Sequence, residues 1–256
     1  MPSITVDGTR TFYERKGKGK PLILVHGAGG TSAYWFNQLS ELSKKLAVVA
    51  IDLPGHGKSA PMERKPTIEL YAEHVATFVN RVKPGKVVLL GHSMGGLVAQ
   101  QVALNHPEIL EKLIIVDSSA KFAVQHDYVK SMRGEADFNP IEFASMFFSP
   151  KTLRNTNIVT LLEQMTGGMA TSFDPKVLAD DFELTGKADL RNRLNEIAIS
   201  TLIVHGADDI VPLQSARFLH ENIKGSILEI IPDAGHVVMI EKPNEFNEII
   251  LRFVES

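Results

Sequence analysis

An α/β fold, with a mostly parallel sheet of eight strands and helices on both faces, follows from three features of the chain. Short uninterrupted apolar runs such as Val87-Val88-Leu89-Leu90 are what a strand covered on both faces requires. Segments with apolar residues at helical spacing separate these runs, so strands and helices alternate. The length, 256 residues of which 44% are hydrophobic, suffices for one large core.

Taken in order, Ser3 to Val6 and Arg10 to Glu14 flank Asp7-Gly8, a pair suited to a tight primed turn, and open the chain as an antiparallel hairpin. Pro21 to Val25, Leu46 to Ile51, Lys86 to Leu90 and Leu113 to Val116 read as four buried strands. Thr201 to Val204 and Ile227 to Ile231 complete the sheet. Helical patterns lie between, at Ser32 to Lys44, Thr67 to Val82, Met94 to Asn105, Pro212 to Ile223 and Pro243 to Val254. In the second of these, Leu70, Val75, Phe78, Val79 and Val82 form the stripe of a helix laid on a sheet.

The rhythm breaks between Ala120 and Ile197. No strand-like run occurs there, yet helical patches carry Phe122, Tyr128, Met132, Phe143, Met146, Phe147, Phe148, Met165, Met169, Phe173 and Phe182. So long a gap inside a compact domain is functional or disordered, and its apolar content argues against disorder. The expected organisation is a core of residues 1–119 and 198–256, with residues 120–197 as a helical cap over one end of the sheet. Most of these Phe and Met side chains should pack against one another, while some face a cavity, where a flexible, polarizable surface holds an apolar chain without strict shape demands. Phe143, Met146, Phe147, Met165, Met169 and Phe182, joined by Val237, are the expected lining.

Composition narrows the partners. The formal net charge is −3 and no basic stripe interleaves with aromatics, so nucleic acid is not an expected partner. Zero Cys removes disulfides, thiolate nucleophiles and thiolate metal sites together, and fits a reducing, cytoplasmic location. The opening Met1-Pro2-Ser3-Ile4-Thr5-Val6-Asp7-Gly8 has neither the basic nor the apolar region of a secretory signal. No run of about 18 apolar residues occurs, so no transmembrane segment is expected. The oligomeric state, monomer or homodimer, is not written in any motif.

Gly91-His92-Ser93-Met94-Gly95 joins a strand to a helix through one sharp turn. In this G-x-S-x-G arrangement Ser93 stands at the apex in a strained conformation, and its flanks are glycine because a Cβ would clash with the adjoining elements. The hydroxyl is thereby presented at a helix N-terminus, which favours negative charge. A serine hydroxyl needs a general base to become a nucleophile, which imidazole supplies near neutral pH, and the base needs an orienting carboxylate. Of nine histidines, His236 fits best: it lies in a Gly-containing loop after the last strand, at the sheet edge where Ser93 stands. His26 and His205 precede Gly at strand ends, where packed and hydrogen-bonded roles are expected, and His92 is too constrained within the elbow. No histidine pair shows zinc-like spacing with a carboxylate, and hydrolysis by a serine, an imidazole and a carboxylate requires neither metal nor organic cofactor. The N–H of Met94, at the helix start, is one expected donor to an oxyanion.

These residues belong to a longer series. His26-Gly27-Ala28-Gly29-Gly30 follows the first buried strand, Asp52-Leu53-Pro54-Gly55-His56-Gly57-Lys58-Ser59 the second, and Gly91 to Gly96 the third. His205 to Pro212, Ala234-Gly235-His236 and Glu241-Lys242-Pro243 come later, in step with the strands. Nearly end to end, the chain resembles the α/β-hydrolase fold superfamily, in its small esterase-like branch with a helical cap.

The resemblance implies hydrolysis of a small-molecule carboxylic ester with an apolar acyl group, through an acyl-enzyme on Ser93, with His236 as base and the Ala28 N–H as second oxyanion donor. The acid lies in Gly206-Ala207-Asp208-Asp209-Ile210-Val211-Pro212, one residue shorter than the family's usual loop. Counting from the strand end favours Asp209; counting back from Pro212 favours Asp208. Position relative to the rigid strand end should decide, so Asp209 is preferred and Asp208 becomes a turn or capping residue. Asp117, at the end of the preceding strand, is a third candidate. Dehalogenases and epoxide hydrolases of this fold use an Asp nucleophile where Ser93 stands, and carbon-carbon bond hydrolases commonly carry an aromatic where this chain has Val237. A lactone, a thioester, a lysophospholipid at a lipid surface, a carbon-carbon bond, or a non-catalytic receptor role stay open as alternatives.

Overall fold

The computed structural model describes residues 2–82, 85–123, 126–166 and 174–256. Its strands are β1 (Ser3–Val6), β2 (Thr9–Lys16), β3 (Pro21–Val25), β4 (Ala47–Ile51), β5 (Val87–His92), β6 (Leu110–Val116), β7 (Thr201–Gly206) and β8 (Ile227–Ile231). They form one eight-stranded sheet in the order β1-β2-β4-β3-β5-β6-β7-β8. The β1/β2 and β2/β4 pairs are antiparallel, and every other pairing is parallel.

Alternate residues of the inner strands go to opposite faces, and both faces are dry. Ile23, Val25, Val49, Ile51, Leu89 and Leu113 join one cluster, with Tyr71, Val75 and Phe78 of the helix Ile68–Val82 packed on them. Leu22, Leu24, Val48, Ala50, Val88 and Leu90 join the other, under Trp35, Leu39 and the helix Pro243–Glu255. A parallel sheet needs such double cover, which is why its strands read as unbroken apolar runs.

This topology also fixes where a site can form. β4 lies on one side of β3 and β5 on the other, so the loops leaving β3 and β5 part at the C-terminal edge of the sheet and leave a crevice there. The loops after β6, β7 and β8 end at the same edge because these strands run parallel.

One helix departs from the pattern read in the sequence. Ser32 to Lys44 is not continuous but a tight turn Ser32–Trp35, a short α-helix Phe36–Glu41 and a second tight turn Leu42–Lys44. The Ser43 hydroxyl bonds back to the Ser40 carbonyl at 3.3 Å, the local competition that makes serine a poor helix former.

The stretch from Ala120 to Ile197 is helical, without a strand among its described residues: His126–Met132, Pro140–Ser145, Pro150–Asn155, Ile158–Thr166 and Pro175–Lys187. Three of these helices begin alike. Asn139, Ser149 and Asp174 each accept backbone N–H bonds with their side chains, and a proline follows at the first helical position. Val129, Met132, Phe143, Leu178 and Ala179 make a third apolar cluster of their own, with Tyr128, Phe138, Met146, Phe147 and Phe182 partly buried against it. Leu184, Ala188, Leu190, Leu194 and Ile197 instead pack into the main core beside the sheet. No described helix is long and apolar enough to cross a membrane.

Candidate active site

The strand β5 ends in His92, and the helix Met94–Asn105 begins one residue after Ser93. Ser93 therefore takes the whole turn by itself, at φ 54° and ψ −118°, a region costly for a residue with a side chain. Two close approaches enforce it. A Cβ at Gly91 would strike the Gly95 carbonyl, and one at Gly95 would lie 2.5 Å from the carbonyl oxygens of Val25 and His26. The Ser93 N–H is tied to the Val116 carbonyl at 2.9 Å, and the Ser93 carbonyl accepts the Ser118 hydroxyl at 2.7 Å.

The Ser93 Oγ lies 2.9 Å from Nε2 of His236, and Nδ1 of that ring lies 2.8 Å from Asp209 Oδ1. A ring nitrogen facing a carboxylate carries the proton, so Nε2 is left to accept from the serine. Of the two candidate acids it is thus Asp209 that reaches the histidine, with its carboxylate out of solvent, while Asp208 is exposed and bonds the Ala234 carbonyl through its backbone N–H at 2.9 Å. The Asp209 Oδ1 also accepts the Val211 N–H at 2.9 Å, a side-chain turn that holds the carboxylate on the strand end. Burial pushes this carboxyl up, but the His236 ring against it outweighs that, and the net direction is below the ordinary value.

The histidine is clamped through its backbone as well as its ring. Its N–H donates to the Phe147 carbonyl at 2.8 Å, and its carbonyl accepts from Nε2 of His92 at 2.7 Å. Burial, helped by the neighbouring His236, lowers His92 to about 3, so that ring stays neutral and its Nε2–H stays a donor. Glu241 secures the same loop by accepting the Gly235 N–H at 2.7 Å and the Ser149 N–H at 2.9 Å.

The loop after β3 meets the serine from the other side of the crevice. Gly27 is so close that a Cβ there would lie 3.0 Å from the Ser93 Cβ. His26 is packed and bonded: its Nε2 accepts the Leu53 N–H at 3.0 Å, its Nδ1–H donates to the Gly27 carbonyl at 2.8 Å, and burial lowers it to about 3. His205, one residue before the end of β7, has its Nε2–H on the Val211 carbonyl at 3.0 Å. Ala28 follows Gly27, half-buried against the third apolar cluster, and Met94 is fully buried at the helix start.

A profile of the alpha/beta hydrolase family matches residues 22–249 of this chain. The chain belongs to that family. A pimeloyl-[acyl-carrier protein] methyl ester esterase of Aeromonas hydrophila is 32% identical over 253 residues, covering 94% of this chain and 98% of the relative. A 2-hydroxy-6-oxo-6-(2'-aminophenyl)hexa-2,4-dienoic acid hydrolase of Metapseudomonas resinovorans is 27% identical, covering 98% of this chain and 89% of the relative. Among solved structures, an esterase of Thermogutta terrifontis superposes with a TM-score of 0.87 at 26% identity, over 99% of this chain and 97% of that one.

The expected apolar lining of this α/β hydrolase divides in the structure. Phe147 does reach the site, its ring 5.4 Å from that of His236, and Met146 and Phe182 lie half-buried beside it. Phe143 is instead the hub of the aromatic cluster, with Tyr128, Phe138, Phe147 and Phe182 around it at 5.0–6.1 Å, and is nearly closed to solvent. Val237 turns away altogether: it is buried in the second core cluster with Trp35 and Phe246, because the one-turn helix Val238–Glu241 folds back there immediately after the histidine. Of Met165 the backbone alone is described, and Met169 lies outside the described residues.

Sequence reasoning missed one buried carboxyl group. Asp181, in the helix Pro175–Lys187, lies 2.7 Å from His56 Nε2 and accepts the Gly29 N–H at 2.8 Å, with both side chains 2% exposed. It ties the helices above the sheet to the loop beside Ser93. Asp181 falls on the buried side of an amphipathic helix, a place where a carboxylate is seldom left without a partner; that was the available signal. Among the described residues one group offers metal-ligand atoms in proximity, Asp117, His205 and Asp209, within 4.8 Å of one another. Both oxygens of Asp117 and one of Asp209 are already engaged by backbone N–H.

Proposed function

We propose that this α/β hydrolase is a serine esterase that cleaves small carboxylic esters with an apolar acyl group. The observation that carries the proposal is the unbroken chain from Ser93 Oγ through His236 to Asp209, at 2.9 and 2.8 Å, with its serine held in an elbow at φ 54°. In this reading His236 takes the Ser93 proton as Oγ attacks the ester carbonyl, and returns it to the leaving alcohol. Asp209 keeps the imidazole in the right tautomer and stabilises the imidazolium. The oxyanion is met by the N–H groups of Met94 and Ala28, and a water activated by the same histidine then releases the acyl group. Removing one such donor lowers the rate by about 10² to 10³.

The acyl group is taken up by residues 120–197 acting as a cap, against Phe147, Met146 and Phe182. Support for the bond class comes from relatives named as methyl ester and thermophilic esterases, at 32% and 26% identity. The relative named as a hexadienoic acid hydrolase favours a second reading, cleavage of a carbon-carbon bond.

One experiment separates these readings. Wild type and Ser93→Ala are assayed on p-nitrophenyl esters from acetate to long acyl chains, on a lactone, and on a vinylogous 1,5-diketone acid. Ester turnover falling by about 10⁶ in Ser93→Ala is expected. Turnover confined to the diketone supports the second reading, and turnover on nothing leaves a ligand receptor.

A further inference from the structure

Behind the triad lies a second buried carboxyl that the reaction as proposed does not use. Asp117 follows the last residue of β6, completely closed to solvent and at φ 46°, a left-handed conformation that Asp and Asn tolerate better than other side chains. Its backbone N–H donates to the Val204 carbonyl at 3.0 Å, its Oδ1 accepts the Gly206 N–H at 2.8 Å, and its Oδ2 accepts the Val238 N–H at a long 3.5 Å, a contact that a protonated oxygen can still make. It faces Asp209 and His205, and these are the titratable groups around it.

Three atoms meet there without a donor among them. Asp209 spends Oδ1 on both His236 and Val211, while its buried Oδ2 has no partner. Nδ1 of His205 has none either, since that ring commits its proton to Nε2 and the Val211 carbonyl. This nitrogen lies 3.6 Å from Asp209 Oδ2 and 3.7 Å from Asp117 Oδ1, too far for a protonated ring to be bonded to either. Two carboxylates and a lone pair converging in a dry pocket repel one another unless one proton is shared among them. Burial and the Asp209 carboxylate push the Asp117 carboxyl well above its usual range, whereas Asp209 goes the other way.

We infer that Asp117 is a positioning residue, a neutral carboxylic acid that donates its proton to Asp209 Oδ2 and so fixes which oxygen the triad acid turns towards His236. The inference rests on the esterase reading for its kinetic consequence, but not for its spectroscopic one. With Oδ2 satisfied, the carboxylate cannot rotate to trade oxygens, and Oδ1 stays on the imidazole N–H. The device works with a neutral donor of the same shape, and fails without a donor.

Asp117→Asn keeps a donor and the tolerance for positive φ, so its kcat should stay within about threefold of wild type. Asp117→Ala removes the donor, and kcat should fall about tenfold or more with KM nearly unchanged, since only the alignment of the base is affected. Thermal midpoints of both variants show whether each is folded. Independently of any activity, infrared spectra of Ser93→Ala at neutral pH should contain a protonated-carboxyl band that disappears in Ser93→Ala/Asp117→Asn. Asn as impaired as Ala, Ala as active as wild type, or the absence of that band from Ser93→Ala each overturns the inference. So does a stoichiometric metal in the purified protein, because a cation would then do what the proton is said to do. If no ester is turned over at all while the band is present, the esterase reading fails and the shared proton stands.

Discussion

The two sides of the site are built by different means. Below, Ser93, His236 and Asp209 stand on loops leaving β5, β8 and β7, and each is fixed by short polar contacts to neighbouring strand ends, such as Ser93 N–H on Val116 and His236 carbonyl on His92. Above, the helices between Ala120 and Ile197 approach with rings: Phe143 packs with four aromatic neighbours, and Phe147 lies on the His236 imidazole. The lower side needs ångström placement, which a buried parallel sheet supplies because its backbone has nowhere to move. In the proposed reaction the upper side would need only to exclude water and accept an apolar chain, which loosely directional packing does well. Apolar packing joins them, with Phe148 and Leu161 in one core cluster and Leu184 in the other, and so do polar ties, among them the Phe147 carbonyl, the Ser149 N–H on Glu241, and Asp181.

The sharpest break of that contrast is a single atom group on the lower side. Asp209→Ala should lower kcat by about 10⁴, the size seen when a triad acid is removed and the histidine loses its orientation. Asp208→Ala, one residue away but exposed and turned from the histidine, should stay within about threefold in the same assay. Equal losses in both would mean that the loop as a whole, rather than one carboxylate, positions the base.

Next in size is the tie between the two sides. Asp181→Ala leaves His56 buried beside an empty space and strips the Gly29 N–H of its acceptor. Breaking a buried pair of this kind costs about 3–5 kcal/mol, read as a lowered urea midpoint. Because Gly29 adjoins Ala28, kcat should fall as well. A loss in stability with unchanged kcat would separate the tie from the oxyanion loop.

The same division decides what could be read from the sequence. The sheet, the elbow and the order of the motifs were legible because a parallel strand must be apolar throughout and a one-residue turn must be flanked by glycine. Counting from the end of β7 points to Asp209, the carboxylate that lies 2.8 Å from His236, and the Asp209 N–H bonds the Gly206 carbonyl at 3.2 Å, fixing the loop to the strand. Above the sheet the helical character was legible from composition, but the roles of its side chains were not. Phe143 and Phe147 are four residues apart and chemically identical, yet the first lies in the helix Pro140–Ser145 as a packing hub and the second, in the turn after it, reaches the histidine. Val237 was misjudged for a related reason: adjacency in sequence to His236 says nothing of direction, and the turn Val238–Glu241 sends it into the core. The shorter strand ends were missed too, as β5 and β7 run on to His92 and Gly206, whose neighbours in the sheet were not visible from local pattern.

A smaller effect tests whether the tie carries charge. Burial alone would lower His56, but Asp181 beside it more than compensates, and the ring is held above its ordinary 6.5. His26 at 4.9 Å, Tyr71 at 6.2 Å and the Asp52 carboxylate are the other groups around it. A raised histidine contributes stability that is complete below the unfolded value and is lost as pH climbs through the folded one. The gap in thermal midpoint between wild type and His56→Gln should therefore narrow from about pH 6 to about pH 9. A gap that widens with pH would mean that the ring is neutral throughout and serves as a plain hydrogen-bond donor.

The smallest effect belongs to the upper side taken by itself. Tyr128 packs edge-on to Phe143 at 5.7 Å, and its hydroxyl reaches the Met146 sulfur at 3.3 Å. A thioether is a weak acceptor, so this contact should add little to the packing of the ring. Tyr128→Phe removes one oxygen and leaves the ring in place. If the helices above the sheet cohere through apolar contact, the variant should lose less than about 1 kcal/mol in urea unfolding and change kcat/KM for a short-chain ester less than twofold. Deleting one oxygen from Ser93, thirty-five residues earlier, should by contrast silence the protein. A tenfold loss in Tyr128→Phe with KM alone affected would place the hydroxyl against the substrate, and the upper side would then select by polarity as well as by shape.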